Sequence, residues 1–184
     1  GEAAVLRFER LTAAGDSRYP TAMTLYAESF PFHEQREEVS QRRILSEEAY
    51  HFTLIYDGPV WAGEILYWET DAFIYVEHFC ILPKLRGRRY GQQALALLQS
   101  YGKTVILEID PPVDPVSIRR KGFYERCGYR PNPFPHVHPH YHVNCDGHKL
   151  VIMTCPREIS QAEHDTFNRY LQTVVMKNVT ERNV

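Results

Sequence analysis

The chain has 184 residues, enough for one domain with a sizeable core, and its formal net charge of −2 supplies no overall basic field for nucleic acid or a membrane surface. No apolar run approaches the ~20 residues of a membrane span, and the N-terminus lacks the charged-then-apolar pattern of a signal peptide. Cys80, Cys127, Cys145 and Cys155 show no CxxC spacing, so the expectation is a cytoplasmic protein with reduced thiols. Gly1 reads as a processed end and is set aside. Val5–Phe8 is a short first strand. Arg18–Phe30 follows with Ala22, Leu25 and Tyr26 at helical spacing, and Pro31 ends it. Glu34–Glu47 is a charged second helix whose few apolar positions, Val39, Ile44 and Leu45, predict a surface element over a cleft. His51–Tyr56 and Val60–Trp68 flank Asp57-Gly58-Pro59 as an antiparallel hairpin, and Phe73–Leu82 is a further strand closed by Pro83. Tyr90–Tyr101 has helical apolar spacing, while Thr104–Ile109 is a β-branched strand apolar on both faces, so these elements form a βαβ unit with a parallel pair. Ile118–Arg126 is a short helix ending at Gly128, Tyr129–Phe134 begins a strand, and Lys149–Thr154 is the last one. Ser160-Gln161-Ala162-Glu163 is a capping box opening a closing helix with the stripe Phe167, Tyr170, Leu171, Val174 and Val175.

The segment with the most chemical content lies between the Phe73–Leu82 strand and the helix that follows. Lys84-Leu85-Arg86-Gly87-Arg88-Arg89-Tyr90-Gly91-Gln92 puts cations and glycines at a helix N-terminus, where free N–H groups and the helix dipole favour an anion. A nucleotide or a pyrophosphate-bearing cofactor is the implied ligand.

Arg86-Gly87-Arg88-Arg89-Tyr90-Gly91 resembles the [Q/R]-x-x-G-x-[G/A] loop of the GCN5-related N-acetyltransferase (GNAT) family, and Phe123-Tyr124-Glu125-Arg126-Cys127-Gly128-Tyr129 resembles that family's second motif. The resemblance is sharp from about Tyr75 to Arg130. It implies an α/β (α+β) fold, a mixed, mostly antiparallel sheet flanked by helices, with Phe73–Leu82 and Thr104–Ile109 as a parallel pair that splays into a cleft. It implies acetyl-CoA as co-substrate, its pyrophosphate on Arg86, Gly87, Arg88, Arg89, Tyr90, Gly91 and Gln92, and its pantetheine arm against the main chain of Phe79, Cys80 and Ile81. Arg89 replaces the loop's middle glycine: with helical φ the change is harmless, and with any other φ it weakens cofactor binding.

Acetyl transfer needs a neutral amine, a polarised carbonyl and a proton for the departing thiolate. Strand alternation puts Glu77 and His78 on opposite faces, and the resemblance favours the face with Tyr75 and Glu77. Glu77 is then the general base, or else a polar residue binding the acceptor's ammonium, and His78 is a packing histidine. Tyr124 is the general acid by resemblance, or else an aromatic of the helix-sheet core. Tyr75, Glu108 and Phe32 are candidate acceptor contacts, Phe32 within the Phe30–Glu34 wall. Two further readings concern charge: Arg119 and Arg120 belong to a solvated basic face, and His136, His138, His140 and His142 line the acceptor pocket rather than bind a metal, for which the run lacks carboxylates. The expected activity is transfer to a primary amine in a ternary complex, by a monomer or homodimer. The alternative is a catalytically silent acyl-CoA-binding module.

Overall fold

The computed structural model describes residues 5–180, so Gly1 and the outermost residues of the expected 1–184 domain lie outside it. Seven strands form one sheet in the order β1-β2-β3-β4-β5-β9-β6, namely β1 Leu6–Leu11, β2 Tyr50–Asp57, β3 Val60–Glu69, β4 Phe73–Ile81, β5 Thr104–Ile109, β6 Arg130–Pro131 and β9 Val151–Cys155. β4 and β5 are its parallel pair. Two apolar layers cover it. One joins α1 (Tyr19–Ser29), α2 (Glu38–Ile44) and α5 (Gln161–Tyr170) to Phe52, Leu66, Trp68, Phe73 and Tyr75. The other joins α3 (Tyr90–Gln99) and α4 (Pro115–Arg126) to Ile65, Ile74, Val76, Val105 and Leu107. Alternation along each strand feeds both layers, which is why β5 reads as apolar on both faces.

Two features of β4 make the site. Its pairing with β5 runs only from Phe73↔Thr104 to Tyr75↔Ile106, so the edges diverge beyond Tyr75 and, among the described residues, leave main-chain groups of β4 without a strand partner on that side. The second is a β-bulge: Leu66 opposes His78 and Tyr67 opposes Val76, leaving Glu77 extra. The extra residue shifts the phase of the strand. Tyr75, Glu77 and His78 face the α1 layer, whereas Val76, Phe79 and Ile81 face the α3 layer. The expectation that Glu77 and His78 point to opposite faces is thereby corrected.

Other boundaries also moved. The second helix is shorter than expected: Phe32–Glu34 is a 3-10 turn, and α2 starts only at Glu38. Nor is it a surface element, since Ser40, Gln41 and Ile44 are buried on it and Arg36 is buried just before it. α4 begins at Pro115, three residues earlier than expected, because Asp114 caps it by accepting from the Ser117 N–H at 2.9 Å and Pro115 suits the first turn. The Tyr129–Phe134 strand reduces to Arg130–Pro131, and a two-stranded ribbon, β7 Val137–His138 with β8 His148–Lys149, precedes β9. The capping box at Ser160 forms, but the helix it opens passes at Leu171–Val175 into a π-helical turn. No helix among the described residues is long and apolar enough to cross a membrane.

Candidate active site

The divergence of β4 from β5 opens a cavity of about 980 Å³. Phe79, Cys80 and Ile81 line it, as do Arg86, Gly87, Arg89, Tyr90, Gly91 and Gln92; Arg88 does not. Arg89 is the N-cap of α3 and contributes no side-chain cap. The N–H groups of the first turn of α3 have no helical acceptor, so the open helix end and its dipole stand on the cavity wall as an anion site. Arg120 and Arg126 line the same cavity, adding cations from α4. Arg89 has φ 64° and ψ 14°, the left-handed conformation, which costs a non-glycine residue about 1–2 kcal/mol. The φ is therefore not the helical one, so the backbone is strained here while the side chain still lines the cavity. Gly91 makes room of a different kind: a Cβ there would stand 3.4 Å from Phe123 and 3.6 Å from Phe79.

At the other end of the cavity a buried polar cluster gathers residues distant in sequence. Glu77 Oε2 accepts from Arg36 Nη2 at 2.8 Å and from the Tyr141 hydroxyl at 2.6 Å, and Oε1 accepts from Trp68 Nε1 at 2.9 Å. Arg36 also donates to Ser40 Oγ at 3.0 Å and to the Val175 carbonyl at 3.0 Å. Burial raises the Glu77 carboxyl, but the Arg36 guanidinium, His78 and the donated bonds outweigh it and hold the group down at about 2. A carboxylate so held is a weak proton acceptor, and its oxygens are occupied. The base role expected of Glu77 therefore does not fit this geometry.

His78 is the titratable group beside it. Its Nε2 lies 2.8 Å from the Glu34 carbonyl, which can only accept, so Nε2 carries the proton and Nδ1 holds the lone pair. Nδ1 is buried and has no partner among the described residues. Burial pushes the imidazole pKa down, favouring the neutral ring that accepts a proton. Packing against Tyr26 and Phe30 fixes the ring on the cavity wall. On the opposite layer Tyr124 lines the cavity too, its phenol pushed up by burial to about 12, so it stays protonated.

Of the expected acceptor contacts, Glu108 is on the wall, while Tyr75 and Phe32 are not. Tyr75 is fully buried and donates its hydroxyl to Glu108, whose other oxygen lies 2.6 Å from His136 Nε2. Burial raises the Glu108 carboxyl, yet His138, His136 and Tyr75 together lower it. Phe32 is 66% exposed and stacks on His142 outside the cavity. The histidine run is an anchored flap: His136 holds Glu108, His142 Nε2 meets the Phe32 carbonyl at 3.0 Å, and His138, His140 and Tyr141 form the wall. The run does not converge on an ion. Among the described residues, the group close enough to hold one is His33, Glu34 and His148. Sequence reasoning missed Arg36, Trp68, Tyr141 and His148; a lone arginine in a charged segment carries no local sign that it is buried.

The family model described as "Acetyltransferase (GNAT) family" matches residues 19–129. A Bacteroides thetaiotaomicron protein assigned to that family has a similar solved structure, with 30% identity, a TM-score of 0.86 and coverage of 92% of this chain and 98% of its own. A Bacillus subtilis acetyltransferase in complex with CoA shares the fold at 14% identity and TM-score 0.53, covering 82% of this chain and 97% of its own. An Arabidopsis thaliana protein in complex with the bisubstrate analogue CoA-Ac-MVNAL does so at 15% identity and TM-score 0.55, covering 81% and 97%. No curated protein matches the chain.

Proposed function

The chain belongs to the GNAT acetyltransferase family, and from that premise we propose that it transfers acetyl from acetyl-CoA to a primary amine directly, within a ternary complex. The observation that carries this reading is one cavity running from the open N-terminus of α3 to the His78 ring, between strands that part beyond Tyr75. Acetyl-CoA is the co-substrate, and it supplies an activated thioester. Its pyrophosphate suits the first turn of α3 with Arg86, Arg89 and Arg126, and an extended arm suits the unpaired edge of β4 over Phe79, Cys80 and Ile81.

His78 Nδ1, which the Glu34 carbonyl leaves unprotonated by holding Nε2–H, takes a proton from the acceptor's ammonium, and the neutral amine so formed attacks the thioester carbonyl. Glu77 is a positioning residue, since its bond to Tyr141 fixes the flap wall beside the His78 ring. Tyr124, across the gap, returns a proton to the departing thiolate. Cys80 is no covalent relay, because burial lifts its thiol to about 12 and leaves almost no thiolate at neutral pH. Glu34, Glu108, Asp110 and Asp146 on the wall favour a cationic acceptor. A silent acyl-CoA-binding module would not need a tautomer-fixed imidazole with an unpartnered nitrogen beside the cavity.

The test is acetyl-CoA-dependent thiol release across a panel of small amines, amino acids and peptides. Turnover that falls about 10²- to 10⁴-fold in His78→Asn and Tyr124→Phe supports the reading. Tight acetyl-CoA binding with no turnover on any amine class returns the silent module.

A further inference from the structure

Outside the transfer site, the mouth of the cavity carries a second constellation. His33 and Glu34 sit on the 3-10 turn after α1, and His148 opens β8 across from them. One ligand atom from each lies within 4.8 Å of the others, and all three residues line the cavity. His148 Nε2 is 3.0 Å from Asp110 Oδ1. A carboxylate only accepts, so a neutral His148 donates there and turns the Nδ1 lone pair towards Glu34 Oε1, 3.8 Å away. That separation is too long for a hydrogen bond. Two ligands at about 2.0–2.1 Å from a tetrahedral ion stand about 3.4 Å apart, so a closure of a few tenths of an ångström satisfies both.

Both sides of the mouth are held independently of this contact. The Glu34 N–H donates to the Pro31 carbonyl at 2.9 Å and the Glu34 carbonyl accepts from His78, while His148 is registered against His138 in the ribbon. Asp110 is itself steadied by Arg120 Nη1 at 3.6 Å. Three Lewis bases thus converge from two anchored segments, and an outer carboxylate selects the tautomer, as second-shell partners of metal-bound histidines do.

We propose that His33, Glu34 and His148 form a divalent transition-metal site of the zinc class, with Asp110 as its outer carboxylate. Two imidazoles and one carboxylate suit Zn²⁺ and leave a fourth position for water. The bound ion ties β8 to the 3-10 turn and places positive charge where a cationic acceptor enters. Metal therefore raises KM for the amine and leaves KM for acetyl-CoA unchanged; this consequence rests on the acetyltransferase reading, whereas binding itself does not.

The test is calorimetric titration of untagged, chelator-stripped protein with Zn²⁺, each variant checked for its circular dichroism and melting temperature. One equivalent binding with Kd of about 10 μM or tighter is expected, weakened at least tenfold in His33→Ala and in His148→Ala. Asp110→Asn, which keeps all three ligands, weakens it about tenfold. His33 is exposed, so His33→Ala keeps the fold. The proposal is overturned by the absence of saturable binding, or by one-equivalent binding that survives the His33→Ala/His148→Ala double variant.

Discussion

Replacing Glu77 with Gln separates a structural carboxylate from a catalytic one. The Gln oxygen can still accept from Trp68, but an amide nitrogen then faces Arg36 and Tyr141, and a fully buried guanidinium loses its counter-charge. Breaking a buried pair from one side costs about 3–5 kcal/mol. Linkage gives a similar figure: a folded value of about 2 against the ordinary 4.5 is worth about 3 kcal/mol. The sign follows from proton uptake, since between those values the unfolded chain binds more protons. The contribution is complete above pH 4.5 and is lost as pH falls towards 2. In urea, with a slope of about 2 kcal/mol/M, the midpoint of Glu77→Gln drops by about 1.5–2.5 M, and adding Arg36→Met recovers at least half of the loss. Below its melting range the variant retains the acid limb of kcat/KM, because that limb belongs to His78. A stability loss under about 1 kcal/mol together with disappearance of the acid limb would refute this assignment and restore Glu77 as the base.

Because burial lowers the His78 pKa, the acid limb of the wild-type pH-rate profile lies below pH 6.5, and His78→Asn removes it along with about 10²- to 10⁴-fold of kcat. Arg89→Gly relieves left-handed strain at φ 64° while loosening the unfolded chain, for a net gain of about 0.5–1 kcal/mol in denaturant melts. The same substitution raises KM for acetyl-CoA about three- to tenfold by removing a cation from the cradle. Gly63→Ala places a Cβ 2.2 Å from the Cys80 carbonyl oxygen, so β3 and β4 must part where β4 forms the cavity wall. A stability loss of about 1–3 kcal/mol and a higher KM for acetyl-CoA are expected by melting and by initial rates.

Local signals read well where local rules govern. The hairpin around Gly58, the βαβ unit and the capping box at Ser160 follow from turn chemistry and periodicity, and all are present. The cradle was legible because a helix N-terminus is a local object, and its predicted residues line the cavity with the exception of Arg88. The cluster around Glu77 was not legible. Its partners come from residues 36, 68 and 141, joined only by the tertiary fold, and the bulge that turns His78 onto the same face reflects pairing with β3, which alternation along one strand does not reveal. Tyr75 was misplaced for a related reason: a strand residue on the correct face can still end short of the cleft, where β4 and β5 remain paired.

The single unpaired residue in β4 has a consequence for how mutations along that strand will behave. Up to Tyr75, the side chains towards α1 come from odd-numbered positions; from His78 onward they come from even-numbered ones. A positional scan of β4 should therefore show two interleaved patterns of tolerance that exchange phase at Glu77. Deleting that residue would restore a regular strand in which His78 and every residue beyond it keep their present faces, and would remove only the carboxylate that pairs with Arg36.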